Sequence, residues 1–199
     1  MAESASYTRL LDEAERIFLE RGYGGTRLAE VANALGIKTA SLYHHAPGGK
    51  KELWRLVVDR ALGRHREGLR RAATQGSPRL REQLVAMTRY LIGQPPVNVV
   101  HLAATSGPQD VPDGVPHISE RLYTTLMLPI RKAYQAAQDR GEVSGRFTVD
   151  MFAGVFLSAA NGLVAAAHAG SLPGEAETLA EDMVDLLLVG AKSAGKQID

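Results

Sequence analysis

Residues 28–47, LAEVANALGIKTASLYHHAP, have the pattern of two short amphipathic helices joined by a glycine. Ala32 is followed four positions later by Gly36, and six positions after that by Leu42. A helix-turn-helix needs a small residue where its helices cross, a turn residue that tolerates positive φ, and an apolar residue facing inward from the second helix. The spacing therefore predicts a helix-turn-helix. A purely structural pair of crossed helices is the alternative that the spacing leaves open.

The second helix of this pair carries short or basic donors on its outward face, which are Lys38, Thr39, Ser41, Tyr43 and His44. Such side chains can hydrogen-bond to phosphates and to base edges in the major groove of DNA. Residues 1–75 also carry 13 Lys and Arg against 9 Asp and Glu, whereas residues 76–199 carry 10 against 13. A basic N-terminal third favours an anionic partner, and nucleic acid before a membrane.

Several short motifs surround this stretch, namely Gly22-Tyr23, Thr26, residues 31–37, residues 41–45, Lys50 and Glu52-Leu53. Together they resemble the N-terminal domain of TetR-family transcriptional regulators over about residues 8–60. The resemblance implies a homodimer in which the first three helices bind DNA. It also implies that the fourth helix links them to a C-terminal ligand domain, and that the last two helices form a four-helix dimer interface.

The resemblance further implies roles for individual residues. Thr26, Tyr43 and Lys50 would contact the DNA backbone, with Arg27 beside them, and His45 would be structural. Candidates for reading bases are Lys38, Thr39, Ser41 and His44. The sequence departs from the family pattern at Ala46, where Phe is usual, and Pro47-Gly48-Gly49-Lys50 is one residue longer than usual. Lys51 is therefore an alternative to Lys50 as the phosphate contact.

The whole chain is predicted to be all-α, with about nine helices. Residues 1–50 form the predicted DNA-binding domain, 51–75 a linking helix, and 76–199 a ligand-binding and dimerisation domain. Thr26 is expected to cap the second helix and Thr148 the eighth. Pro129 predicts a kink or break near Leu126. The remaining helices are predicted at 38–45, 50–75, 78–94, 97–105, 118–140, 149–169 and 175–194.

Two C-terminal helices have faces suited to association. Met151–Ala167 contains no charged residue, and Gly154, Ser158 and Gly162 recur every four positions, so one face permits close approach of another helix. The last helix adds an apolar stripe with Met183, Leu186 and Leu187. A nearly all-apolar helix needs cover on more than one side, which a second subunit can supply. Packing within one chain is the alternative.

An effector pocket is predicted among soft apolar and aromatic residues of the C-terminal domain. The kink at Pro129 is expected to open the bundle, and the effector to be small and mostly apolar, with contacts from Tyr90, His101 and Tyr123. The candidate lining residues are Met87, Tyr90, His101, Tyr123, Met127, Phe152, Phe156 and Asn161.

Enzyme motifs are not found. The sequence has no Gly-x-Ser-x-Gly, no His-Glu-x-x-His and no phosphate loop, and the absence of Cys removes thiolate chemistry. We expect no cofactor, no metal, no membrane partner and a cytoplasmic location, because the N-terminus lacks an apolar signal. The expected function is a sequence-specific regulator, a repressor released from a palindromic DNA operator by its effector. The alternative is a helical small-molecule-binding dimer or adaptor with only nonspecific DNA affinity.

Overall fold

The computed structural model describes residues 5–94 and 118–192, and within them the secondary structure is helical, without a strand. The all-α prediction is confirmed. The predicted helix 97–105 lies outside the described residues. The helices are α1 (Ala5–Gly25), α2 (Leu28–Leu35), α3 (Thr39–Leu42), α4 (Gly49–Thr74), α5 (Leu80–Ile92), α6 (Ile118–Leu122), a π-helical turn (Tyr123–Met127), α7 (Leu128–Asp139), α8 (Val149–His168) and α9 (Ala176–Lys192).

The chain divides into two compact units, and the division falls inside α4, after Gly63. Of the described residues, the first unit holds 5–63 and 118–122, and the second holds 64–94 and 123–192. The predicted linking helix, 51–75, is thus shared by the two units. The predicted boundaries at residues 50 and 75 stay predictions.

The first unit has a continuous apolar core built by α1 to α4. Trp54 of α4 is fully buried, and its ring lies edge-on to Tyr23 with centroids 5.9 Å apart. Burying each large apolar side chain stabilises the fold by about 1.5–3 kcal/mol, so this core fixes how α2 and α3 are held. Its largest fully buried members are Leu10, Leu11, Phe18, Leu42, Leu53 and Trp54.

The start of α2 differs from the prediction. The helical backbone of α1 is interrupted at Gly22, whose φ of 69° and ψ of 174° form a conformation that glycine adopts without strain. Thr26 was predicted to cap α2, and this was wrong: Thr26 is buried and its hydroxyl donates to the carbonyl of Gly22 at 2.7 Å. Arg27 is the N-cap, and its backbone N–H donates to the Glu30 carboxylate at 3.0 Å.

In the second unit, α5, α7, α8 and α9 pack around their own core. Arg81 of α5 donates to Asp185 of α9 at 2.6 and 2.8 Å, which joins these two helices at the surface. On α9 the buried stripe recurs every three or four residues, as a core-facing helix requires. Prominent core residues are Leu80, Leu84, Met87, Ile130, Tyr134, Phe156, Ala180, Val184 and Leu188.

Two local predictions in the second unit are confirmed. The helix containing Pro129 is interrupted by the π-helical turn Tyr123–Met127, because proline has no N–H to continue the helical ladder. Thr148 caps α8, and its hydroxyl oxygen accepts from the N–H of Met151 at 3.2 Å. By contrast, α5 begins two residues later than predicted, where the Leu80 N–H donates to the Glu142 carboxylate at 2.8 Å.

Candidate functional site

The turn between α2 and α3 is closed by Gly36. Gly36 has φ 68° and ψ 28°, a left-handed conformation in which a side chain is strained. Its N–H donates to the Asn33 carbonyl at 3.1 Å, and the Ile37 N–H donates to the Ala32 carbonyl at 3.0 Å. Ala32 is fully buried and Leu42 is 1% exposed. The three roles predicted from the spacing of Ala32, Gly36 and Leu42 are therefore confirmed.

Helix α3 is shorter than predicted. It runs from Thr39 to Leu42, and residues 43–45 continue it as tight turns whose N–H groups donate three residues back, at 3.0–3.3 Å. Ile37, the first residue after the turn glycine, is 38% exposed and adds little to the core. The buried Leu42 and Ala46 hold this short segment against the first unit's core.

The outward residues of this segment form what we call the α3 surface, which comprises Lys38, Thr39, Ser41, Tyr43 and His44. Lys38, Tyr43 and His44 are exposed, while Thr39 and Ser41 are half-buried. Across residues 5–94 and 118–192, no hydrogen bond or ion pair engages any of these five side chains. Their donors are thus available to an external partner.

Lys50 has a different environment from that expected of a DNA contact. Its Nζ donates to the carbonyls of Tyr23 at 2.7 Å and Thr26 at 3.0 Å, and lies 4.4 Å from the centroid of the Tyr23 ring. Burial raises the pKa of the Tyr23 hydroxyl. The ammonium group of Lys50 thus ties the start of α4 to the segment before α2. Lys51, the next residue, is exposed.

Two acidic side chains of the first unit, Glu30 on α2 and Glu52 on α4, are already engaged. Glu30 pairs with Arg21 at 2.5 Å and accepts from the Arg27 backbone N–H. Glu52 accepts from the Gly48 N–H at 2.6 Å. Paired carboxylates repel an incoming phosphate less than free ones do.

This arrangement matches known regulators. Residues 10–56 match the family model for bacterial regulatory proteins of the tetR family. The chain is also 38% identical over 68 residues to the HTH-type transcriptional repressor KstR2 of Rhodococcus jostii (strain RHA1), and the match covers 33% of each chain. The chain belongs to the TetR family.

Two longer matches extend beyond the N-terminal unit of this TetR-family chain. It is 25% identical over 173 residues to the HTH-type transcriptional regulator UidR of Escherichia coli (strain K12), over 85% of each chain. Its fold is similar to that of AibR, solved in complex with isovaleryl coenzyme A and operator DNA, with a TM-score of 0.71, 24% identity, and coverage of 92% and 98% of the two chains. The matches to the first curated relatives span a third of their length or less.

The residues predicted to line an effector pocket are dispersed in the TetR-family fold. Three belong to the core: Met87 and Phe156 are fully buried, and Phe152 stacks on Tyr134 with ring centroids 3.9 Å apart. Asn161 is exposed on α8. His101 lies outside the described residues.

Tyr90 and Tyr123 have partners within the second unit. The Tyr90 hydroxyl donates to the Arg64 carbonyl at 2.9 Å. A carbon of the Tyr90 ring lies only 2.0 Å from the position that a Cβ on Gly68 would occupy. Burial raises the pKa of the Tyr90 hydroxyl. Tyr123 is 36% exposed and lies beneath the Arg131 guanidinium, while Met127 is half-buried.

The second unit contains a cavity of about 490 Å³ near the π-helical turn. Its wall includes Leu128, Pro129, Ala133 and Ala136, and none of the predicted effector residues within 5–94 and 118–192 lines it. The kink at Pro129 thus accompanies a cavity, as expected, while large aromatic side chains such as Phe152 and Phe156 lie in the core. The predicted effector contacts stay a prediction. The cations at this cavity are Arg66, Arg70 and Lys132.

The last two helices leave apolar and small residues uncovered. On α8, Met151 is 55% exposed and Val155 47%, and Ser158 and Gly162 are exposed on the same side of the helix. On α9, Leu186 is 75% exposed and Val189 67%. These six residues are called the apolar surface below. Of the other predicted interface residues, Gly154, Met183 and Leu187 are half-buried.

Two other features bear on a membrane and on metal binding. Helix α8, Val149–His168, is long and apolar enough to cross a membrane by length and composition, a test that core helices of soluble proteins also pass. Within residues 5–94 and 118–192, no group of three or more His, Asp or Glu side chains is placed to hold a metal ion.

Proposed function

We propose that the protein is a homodimeric, sequence-specific DNA-binding regulator of transcription, a repressor that a small effector releases from a palindromic operator. The single observation that carries this is the α3 surface, where donors without internal partners stand on a well-packed helix-turn-helix. Donors grouped on the outward face of the second helix of a helix-turn-helix are placed to hydrogen-bond to phosphates and base edges in the major groove. The family membership supports DNA as that partner.

Each side chain of the α3 surface has a proposed role. Lys38, Thr39, Ser41 and His44 are candidates for base contacts, and Tyr43 for a phosphate contact. Lys51 is the better phosphate candidate of the two lysines, because the Lys50 ammonium is bonded to two backbone carbonyls. Arg27 is exposed at the N-terminus of α2 and can reach a phosphate, whereas the buried Thr26 hydroxyl is already bonded to Gly22.

The apolar surface of α8 and α9 supports dimerisation. Large side chains such as Leu186 and Val189 gain about 25 cal/mol per Å² when they leave water, and the small residues Ser158 and Gly162 permit close helix approach. A two-fold dimer places two recognition segments roughly 34–36 Å apart, one turn of DNA, and so reads a palindrome. We propose a second subunit, not a membrane, as the cover of α8.

The proposed effector acts on the second unit. AibR was solved with both isovaleryl coenzyme A and operator DNA, which supports a regulator with separate ligand and DNA sites. An effector changes operator affinity only if it binds the DNA-competent and the released conformations with different affinity. The relatives named above are regulators of transcription, so we assign the chain no catalytic residue, and we propose a cytoplasmic location, where operator DNA is found.

The test is selection of bound duplexes from a random library by the purified protein at about 150 mM salt, where nonspecific binding is weak. We expect enrichment of a palindrome by the wild-type chain, and its loss with Lys38→Ala and with Tyr43→Ala. Arg146→Ala, an exposed cation in the second unit, is the control and should select the same palindrome. Affinity for the selected site should fall by about 10³- to 10⁵-fold between 50 and 200 mM salt.

The alternative function, a ligand-binding dimer or adaptor, predicts a different result. Such a protein would bind random and selected duplexes equally at one salt concentration, with no palindrome enriched. That outcome, repeated after removal of bound ligand by refolding, would contradict sequence-specific regulation.

A further inference from the structure

We propose that the cavity in the second unit binds an amphipathic anion, a molecule with a phosphate or carboxylate at one end and an apolar chain at the other. This inference rests on the proposed function, because it names the chemical class of the effector. It also changes the sequence-based expectation of a mostly apolar ligand, which accounts for only one part of the cavity wall.

The first part of the argument is charge. Arg66 and Arg70 on α4 and Lys132 on α7 line the cavity, and no Asp or Glu of the part of the chain that the structure describes lines it. Arg70 donates to Glu67 at 2.8 and 3.0 Å, but no ion pair engages Arg66 or Lys132 within the described parts of the chain. Cations concentrated beside a low-dielectric wall attract an anion more strongly than isolated surface cations do.

The second part is the shape and chemistry of the remaining wall. Leu128, Pro129, Ala133 and Ala136 contribute apolar surface with short side chains, which leaves about 490 Å³ of space. This volume lies within the roughly 300–1,000 Å³ of typical small-molecule sites. Each methylene that a ligand buries there strengthens binding about fourfold.

The third part is an uncharged polar group in the same wall. Gln83 also lines the cavity, and its amide Nε2 donates to the Ala73 carbonyl at 2.7 Å, which fixes the side chain. A neutral apolar ligand would fill the alanine and proline wall but offer no charge to Lys132, which has no ion pair among the described residues, or to Arg66, whose nearby carboxylate Glu67 is already paired with Arg70. An anionic headgroup satisfies both cations while its chain fills the apolar wall, so one molecule accounts for the whole lining.

The location also fits a regulatory ligand. Arg66 and Arg70 belong to α4, the helix that contributes to both compact units. Lys132 belongs to α7, directly after the π-helical turn. An anion bound by Arg66 and Lys132 together links α4 to α7, and it can change operator affinity through α4, because this helix contributes residues to both compact units.

The test is calorimetric titration of the full-length protein with four probes: octyl phosphate, octanoate, 1-octanol and inorganic phosphate. We expect one or both octyl anions to bind at least about tenfold more tightly than 1-octanol, which has the chain without the charge, and than inorganic phosphate, which has the charge without the chain. The ratio of octyl phosphate to octanoate identifies the preferred headgroup. Equal binding of 1-octanol, or no binding of either anion up to about 1 mM, would overturn the proposal.

Variants locate the site. The double variant Arg66→Gln with Lys132→Gln should bind the preferred octyl anion about 10- to 100-fold more weakly, with 1-octanol unchanged. Arg79→Gln, an exposed arginine of the same unit outside this cavity, is the matched control and should bind normally. Ala136→Leu, which fills the apolar wall, should weaken both octyl anions. Normal anion binding by both the charge-deleted and the filled variants would contradict this location.

The failure of this inference is distinguishable from failure of the proposed function. The ligand-free double variant should bind the selected operator like the wild type, because its substitutions lie outside the α3 surface. A protein that selects an operator but binds no octyl anion would overturn the ligand class alone. A protein that binds octyl phosphate but selects no operator would overturn the proposed function alone.

Discussion

The α3 surface and the apolar surface are both exposed, yet their chemistry is opposite. The α3 surface presents hydroxyl, imidazole and ammonium groups, whereas α8 and α9 present Met151, Val155, Leu186 and Val189. Water solvates the polar side chains of the α3 surface well, so exposing them has little free-energy cost. The informative feature of this surface is that its donors have no partner within the described residues. Exposed Leu and Val leave apolar area in contact with water, which is unfavourable. These side chains therefore indicate a surface that a partner would bury.

The two surfaces also differ in how the chain supports them. The position of the α3 surface depends on two individual residues. One is Gly36 with its left-handed backbone, and the other is Lys50, whose ammonium group is bonded to the segment before α2. The apolar surface stands on two long regular helices, α8 and α9, whose other sides are buried in the second unit's core. One residue change can therefore disturb the first surface indirectly, while the second must be changed directly.

The largest effect is expected from a charge on the apolar surface. Leu186→Glu places one carboxylate from each subunit in the proposed interface, and an uncompensated buried charge costs about 3–5 kcal/mol. We expect the dimer dissociation constant, measured by analytical ultracentrifugation, to rise about 10²- to 10³-fold or more, and operator affinity to fall with it. Because Leu186 is 75% exposed in the single chain, folding of each subunit should be unaffected.

The control for that experiment is Leu186→Ala, which removes apolar area without adding charge and should weaken the dimer to a smaller extent. A Leu186→Glu protein that remains dimeric at wild-type concentrations would show that this helix face is not the interface. The apolar surface would then have no assigned function.

A smaller and more selective effect is expected from two neighbouring lysines. Lys50→Met leaves the carbonyls of Tyr23 and Thr26 without their charged donor, so the free energy of unfolding should fall by about 1–3 kcal/mol. Lys51→Met removes an exposed charge and should change stability by no more than about 0.5 kcal/mol. It should instead weaken operator binding and lower the salt slope by about 1.

Urea denaturation and salt-dependent gel shift on both variants separate these roles. If Lys50→Met unfolds like the wild type while Lys51→Met leaves the salt slope unchanged, the phosphate contact belongs to Lys50 after all. The lysine would then exchange its internal bonds for DNA on binding.

The Lys50 result shows what sequence reasoning can and cannot find. The positions of Ala32, Gly36 and Leu42 predicted the helix-turn-helix because the hydrogen bonds that close its turn join residues 32–37, and because helical periodicity determines which side chains of a short helix share a face. The partners of Lys50 are backbone carbonyls 24 and 27 residues earlier in the chain. Every residue has a backbone carbonyl, so the pattern of side chains in the sequence cannot predict such a hydrogen bond.

The cavity was missed for a related reason. The sequence indicated the break before Pro129, since proline acts locally, but the cavity wall combines residues from 66 to 136 on four elements. Composition favours large aromatic residues as candidates for the lining of a pocket, yet Phe156 is fully buried and Phe152 stacks on Tyr134. Space remains where side chains are short, and Ala133 and Ala136 look like any other alanine in a helical sequence.

The smallest effect expected here compares two glycines whose substitution should act in opposite directions. A Cβ would meet nothing within 4 Å at either Gly36 or Gly63, so crowding does not distinguish them. Gly36 has φ 68°, where an L-residue is strained, whereas Gly63 lies inside α4 without a positive φ. Gly36→Ala should therefore lower the free energy of unfolding by about 1 kcal/mol, and Gly63→Ala should raise it by about 0.5–1 kcal/mol.

Urea denaturation measures both changes, and operator binding sharpens the comparison between the two surfaces. Gly36→Ala should also weaken operator binding, because the turn orients α3, while its dimer dissociation constant should stay that of the wild type. Equal stability changes in Gly36→Ala and Gly63→Ala would contradict the role of the left-handed turn. A Gly36→Ala protein with reduced stability but unchanged operator affinity would mean that α3 keeps its orientation through the buried Leu42 and Ala46 alone.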